Sequence, residues 1–317
     1  MRAPKTAWEL LKTTFSGWSD DKAPRLGAAL SYYTAFSLAP VLIVVISVAG
    51  LAFGQDAAQG RIVEQLQGVF GREAAEVIQT MLAKANEPRS GVIGVVVGFV
   101  TLLVGATGVV IELQDALNTV WKVIPKPGRG IKGLIKDRIL SFALILGFGF
   151  LLLVSLVASA GLEAMGGVVS RFIPGWVILG YILNYAVSLL AITSLIAMIF
   201  KFLPDARVAW RDVWIGAFAT SVLFHVGKYL IGLYVGRAGV GSPFGAAGAL
   251  AVLLVWIYYT AQIILLGAEF TKAYANRLGG HVVPSKDAVA APETPLARLA
   301  LEKQLKDQHA KSQQKQA

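Results

Sequence analysis

Six apolar stretches, each about as long as a bilayer is thick, run through the 317 residues, at about 26–53, 91–117, 139–162, 173–200, 213–236 and 246–271. No other feature narrows the fold as much. In hydrocarbon every backbone N–H and C=O must be satisfied within the chain, and an apolar run of this length achieves that as a helix. The chain therefore reads as an all-α integral membrane protein with six transmembrane helices. Its composition agrees. Only 15% of the residues are charged and 56% are hydrophobic, whereas a soluble chain carries roughly 25% charged residues.

The loops joining these stretches alternate in basic character. The N-terminus, the loops at 118–138 and 201–211 and the tail from 272 hold 22 of the 29 Lys and Arg residues, the other side holds six, and Lys228 falls inside a stretch. Basic residues accumulate on the cytoplasmic side, so both termini are expected in the cytoplasm of a multi-pass inner-membrane protein. The net charge of +10 would point a soluble protein toward nucleic acid. Here its placement points to anionic lipid headgroups as partners and not to nucleic acid.

Three segments lie outside the core of spans. Residues 1–25 hold Trp8, Leu10, Leu11, Phe15 and Trp18 at helical spacing with several lysines, the pattern of a helix lying on the cytoplasmic membrane surface. No cleavable signal is expected there, because this region is polar and the first apolar run is too long. Residues 54–90 repeat Ile62, Leu66, Phe70, then Val77, Ile78, Met81 and Leu82, which predicts two short amphipathic helices on the outer side, acting as a lid or simply packed as a loop. Residues 276–317 are rich in Ala, Gln, Lys, Glu and Pro and read as a solvated, disordered cytoplasmic tail.

Charged groups inside the spans are few, and a charge at the bilayer centre costs at least ~3 kcal/mol. Lys228 and His225 stand three residues apart on one face of the fifth span. They can hold an anionic headgroup, phosphate or carboxylate, or Lys228 can snorkel to the outer headgroups. Tyr32 and Tyr33 in the first span read as a cavity liner and a belt residue beside this site. Glu112 and Asp115 share a face of the second span, and Glu269 lies near the end of the sixth. These carboxylates read as proton-coupling groups, or as structural ion pairs with Lys122, Arg25 or Arg138. Ser31, Ala35 and Ala39 form a small-residue ridge for close helix packing, which also permits a homo-oligomer.

Enzyme chemistry finds no foothold. The chain has no cysteine and three histidines, two of them in the tail, so neither a thiolate nor a histidine-rich metal site can be assembled. Neither GxxxxGK[ST], HExxH nor GxSxG occurs, so no cofactor and no nucleotide, metalloprotease or serine-hydrolase chemistry is expected.

Several stretches together resemble one known family. They are AALSYYTAFSLAPVLIVV (28–45), ELQDALNTVWKV (112–123), FLPDARVAWRDVWIGA (202–217), GKYLIGLY (227–234) and SPFGAAGALAVLLVWIYYTAQIILLGAEFTKAYA (242–275). The chain is similar over about 20–275 to the YihY / virulence factor BrkB family of inner-membrane proteins. Some of its members were formerly labelled ribonuclease BN and one is labelled for serum resistance. The resemblance implies six helices in the cytoplasmic membrane and a part in envelope integrity or in moving lipid-linked material. The scattered carboxylates make a ribonuclease site physically unattractive. Two readings remain: a transporter or flippase-like protein for an anionic lipid or lipid-linked envelope component, and a non-transporting scaffold for envelope assembly.

Overall fold

The computed structural model describes residues 3–54, 108–126, 176–238 and 246–292 continuously, with isolated positions and short runs within 56–82, 147–154 and 301–304. Five long helices carry the fold: α1 (Ala3–Asp20), α2 (Ala23–Phe53), α3 (Trp176–Phe202), α4 (Trp210–Ala238) and α5 (Ala246–Leu278). A further helical run covers 108–120. Helices α2 to α5 fall on the first, fourth, fifth and sixth apolar stretches. Most of the second and third stretches lies outside the described residues. Among the described residues, three segments are long and apolar enough to cross a membrane: Tyr185–Phe202, Trp210–Leu233 and Leu250–Leu278.

Helix α5 is the hub. It packs on α1, α2 and α4, and α3 packs on α4. Helix α2 starts with Pro24 in its first turn, where the missing N–H is harmless, and runs on through Pro40. Lys22 takes a left-handed conformation, φ 53°, between α1 and α2, which turns the chain sharply enough for both helices to lie against α5. Gln262 on α5 ties them there: Trp18 Nε1 donates to its Oε1 at 3.1 Å, and its Nε2 donates to the Ala23 carbonyl at 3.2 Å.

The α4–α5 contact is built from two facing Gly-x-x-x-Thr patterns, Gly216–Thr220 and Gly267–Thr271. A Cβ on Gly216 would strike Thr271, and one on Gly267 would strike Thr220. Each threonine hydroxyl is turned back on its own helix, donating at 2.7 Å to the carbonyl of the glycine four residues earlier. Each hydroxyl is thus satisfied, and the threonine side chain, its hydroxyl oxygen foremost, fills the space left by the opposing glycine. This is how helices associate where no water is left to expel: small residues let the backbones approach and dispersion does the rest.

Two apolar clusters occupy the two ends of the bundle. One is centred on Leu117, Val120, Trp121, Phe200, Leu203 and Leu265. The other gathers Leu42, Ile46, Leu253 and Trp256 with Ile62, Ile78 and Leu82 from the segment between α2 and the 108–120 helix. The described residues of that segment are helical, and the three named are buried, in keeping with the apolar spacing read in 54–90.

The tail departs from expectation. Residues 276–292 are not a solvated continuation. The chain leaves α5 through Gly279 and Gly280, whose turn is held by Gly280 N donating to Asp212 Oδ2 at 2.9 Å. It then forms β3 (Val283–Pro284) and β4 (Ala288–Ala290). Strand β3 pairs antiparallel with β2 (Ala206–Arg207), and β4 with β1 (Val123–Pro125). The helical fold thus carries two short ribbons, and the all-α expectation is corrected to a mostly helical one. Strands of two or three residues have no readable alternation, so a polar tail hides them even though Ala288 packs into the core. The ribbons bring the loop after the 108–120 helix, the loop between α3 and α4, and the chain after α5 to one end of the bundle. The α1–α2 turn joins them there, since Lys122 pairs with Asp21.

One further tie, Arg277 Nη1 to Glu9 Oε2 at 2.7 Å, joins two exposed side chains. Such pairs contribute little, so Glu9→Gln is expected to change stability by less than about 0.5 kcal/mol. A larger drop in a chemical melt would mean that the pair anchors α1.

Candidate functional site

Helix α4 has a buried face, with Val213, Ala217, Thr220 and Ile231, and an opposite exposed face, with Phe218, Val222, Val226 and Tyr229. Between them runs a polar seam along the contact with α3. Thr193 of α3 and Ser221 of α4, both buried, are hydrogen-bonded at 3.0 Å. One turn on, His225 Nδ1 lies 2.8 Å from the Ser221 carbonyl. A carbonyl only accepts, so Nδ1 donates there and Nε2 is the ring's remaining polar atom. The ring meets Tyr185 of α3 edge-on at 5.1 Å. Lys228 follows two turns after Ser221 and so shares its flank of the helix. Its side chain is half-buried, and among the described residues no carboxylate pairs with it.

The other sequence-derived candidates are placed elsewhere. Tyr32 and Tyr33 are exposed and stack edge-on with each other at 5.7 Å. Among the described residues, neither makes a hydrogen bond or ring contact to the seam. Glu112 is half-buried and Asp115 exposed, one turn apart in the 108–120 helix. Glu269 is fully buried in α5, close to the ribbon end of the bundle.

Two polar clusters at that end escaped the sequence reading. In the first, Asp21 is buried beside Glu269, and Lys272 reaches both, 2.6 Å from Glu269 Oε2 and 3.6 Å from Asp21 Oδ2. Lys122 closes on the other Asp21 oxygen, from a residue held at φ 55°. In the second, Asn118 and Asp205 clamp each other. Asn118 Nδ2 donates to Asp205 Oδ2 at 3.1 Å, and Asp205 N donates to Asn118 Oδ1 at 2.8 Å. Gln114 adds a longer bond at 3.5 Å. Among the described residues, no three His, Asp or Glu side chains converge as metal ligands.

The family model described as Virulence factor BrkB matches residues 14–292. The chain belongs to the BrkB family. The match runs past α5 to include both ribbons, whereas the motif resemblance stopped near 275, so the strapped end is part of the family's domain. Among the relatives, a UPF0761 membrane protein of Verminephrobacter eiseniae is 30% identical over 285 residues, covering 87% of this chain and 64% of that protein. One from Pseudomonas paraeruginosa is 32% identical over 254 residues, 78% of this chain and 58% of the relative. One from Ralstonia nicotianae is 28% identical over 257 residues, 78% and 55%. The BrkB-family chain spans about three fifths of the length of the curated relatives it matches. No solved structure matches it. These relatives are named only as membrane proteins, and that much is established here.

Proposed function

We propose that this BrkB-family protein is a transporter or flippase-like carrier for an anionic lipid or lipid-linked envelope component. It would work in the bacterial cytoplasmic membrane through six spans, with both termini in the cytoplasm. The observation that carries the reading is Lys228. A half-desolvated ammonium in an apolar helix needs a counter-charge, and among the described residues none is supplied by the protein. A phosphate or carboxylate headgroup entering along the α3–α4 seam would supply it, with Ser221 and His225 as polar neighbours. The topology is supported by the meeting of the α1–α2 turn and the segments at 118–126, 203–209 and 279–292 at one end of the bundle. These belong to the four basic regions that the charge bias assigns to the cytoplasm.

Mass spectrometry of lipids retained by the purified protein tests this. One anionic lipid or lipid-linked saccharide should be enriched in the native protein and reduced at least fivefold in Lys228→Ala, with a smaller loss in His225→Ala. If native protein and both variants carry the same bulk lipids, the seam is structural and the carrier reading fails.

A further inference from the structure

The buried carboxyls at the ribbon end are not consumed by the proposed transport site, and they are chemically incomplete. Glu269 is fully buried, and the Asp21 side chain is 4% exposed. Both Glu269 oxygens and Asp21 Oδ2 lack a hydrogen-bond donor. The approach of Lys272 to Glu269 Oε2 does not have hydrogen-bond geometry, and its distance to Asp21 is beyond hydrogen-bond range. A buried carboxylate whose one counter-charge is a shared ammonium without hydrogen-bond alignment recovers only part of the desolvation cost of its charge. The carboxyl reaches this position because residue 17 of α1 is glycine: a Cβ there would collide with the Glu269 carboxyl. The charged groups acting on Glu269 are Asp21 from the α1–α2 turn and Lys272 from its own helix, while Lys122 acts through Asp21.

We propose that Glu269 and Asp21 share one proton, forming a buried carboxyl–carboxylate proton site at the strapped end of the bundle. Glu269 carries the proton and donates it to Asp21, which keeps its charge against Lys122 and Lys272. One proton thereby turns two orphaned oxygens into a donor and an acceptor. The neighbours explain the direction. Asp21 has two lysines within ion-pair reach, and Glu269 has one, shared. The inference does not depend on lipid transport.

Infrared spectroscopy of the full-length protein in nanodiscs at neutral pH is the test. A carboxylic-acid C=O band should be present, should move on exchange into D2O, and should be absent from Glu269→Gln. Glutamine has the shape of the protonated acid and keeps a donor for Asp21, so this variant should fold with an unchanged melting temperature. In Asp21→Asn the band should shift or vanish, because its acceptor has changed. The proposal is overturned by a native spectrum without the band, by a band that persists in folded Glu269→Gln, or by one unaltered in Asp21→Asn. A Glu269→Gln chain that cannot fold also overturns it, since the charge itself would then be what Lys272 requires.

Discussion

Gly216→Val is expected to lower the stability of the folded bundle by about 3 kcal/mol or more, near the top of the range for forcing extra carbon into a packed core. Even a single Cβ at this position would sit 2.7 Å from Thr271 Cβ and 2.9 Å from its Cγ2. Thr271 cannot swing aside cheaply, because its hydroxyl is bonded to the Gly267 carbonyl and Gly267 is itself pressed against Thr220. Relief therefore requires the α4 and α5 backbones to separate, and the dispersion contacts along the seam are lost with them. Gly232→Ala gives the contrast, since nothing lies within 4 Å of a Cβ built there. That change should be neutral or slightly stabilising, by up to about 1 kcal/mol of helix propensity. Thermal melts in detergent compare the two directly. The double variant Gly216→Val, Thr271→Ala should recover part of the loss, because the two side chains compete for one space. Equal melting of Gly216→Val and Gly232→Ala would remove the interlock as the basis of α4–α5 packing.

The interlock also marks where sequence reasoning stops. Apolar runs of bilayer length are strong signals, so four of the six expected spans coincide with α2 to α5 to within a few residues, apart from α5, which runs seven residues further to Leu278. The two Gly-x-x-x-Thr patterns stand in the sequence just as openly. Their meaning depends on an antiparallel register between α4 and α5 that no local pattern announces. The same limit hid Asp21. In a polar amphipathic segment it resembles any solvated acid, and only the left-handed turn at Lys22 and the glycine at position 17 bring it against Glu269. Tyr32 and Tyr33 show a different limit. A tyrosine suits both a membrane belt and a cavity wall, and the sequence does not tell which; the face of α2 that carries them is exposed. Lys228 was legible as an anomaly from its position alone, whereas the α3 groups beside its seam, Thr193 and Tyr185, were not.

The Asn118–Asp205 clamp should carry the second large effect. Asn118→Ala removes one donor to a buried carboxylate and the acceptor for the Asp205 N–H together. Each such loss costs about 1–3 kcal/mol, so a total near 3 kcal/mol is expected once partial relaxation toward Gln114 is allowed for. Asp205→Asn should be milder, about 1 kcal/mol, because an amide oxygen can still accept from Asn118 and the backbone bond from residue 205 survives. Asn118→Asp should be the worst, placing one carboxylate against another in a buried site. The loss should also have a location. The Asp205 carbonyl accepts from Ser285 N at 2.8 Å, and β2 begins at the next residue, so the clamp holds the anchor of the β2–β3 ribbon. Hydrogen exchange in Asn118→Ala should therefore accelerate first at 283–290, before α4 and α5 lose protection. If those amides exchange at the native rate while the melting temperature falls, the clamp stabilises the 108–120 helix alone, and the ribbons are held by their own backbone bonds.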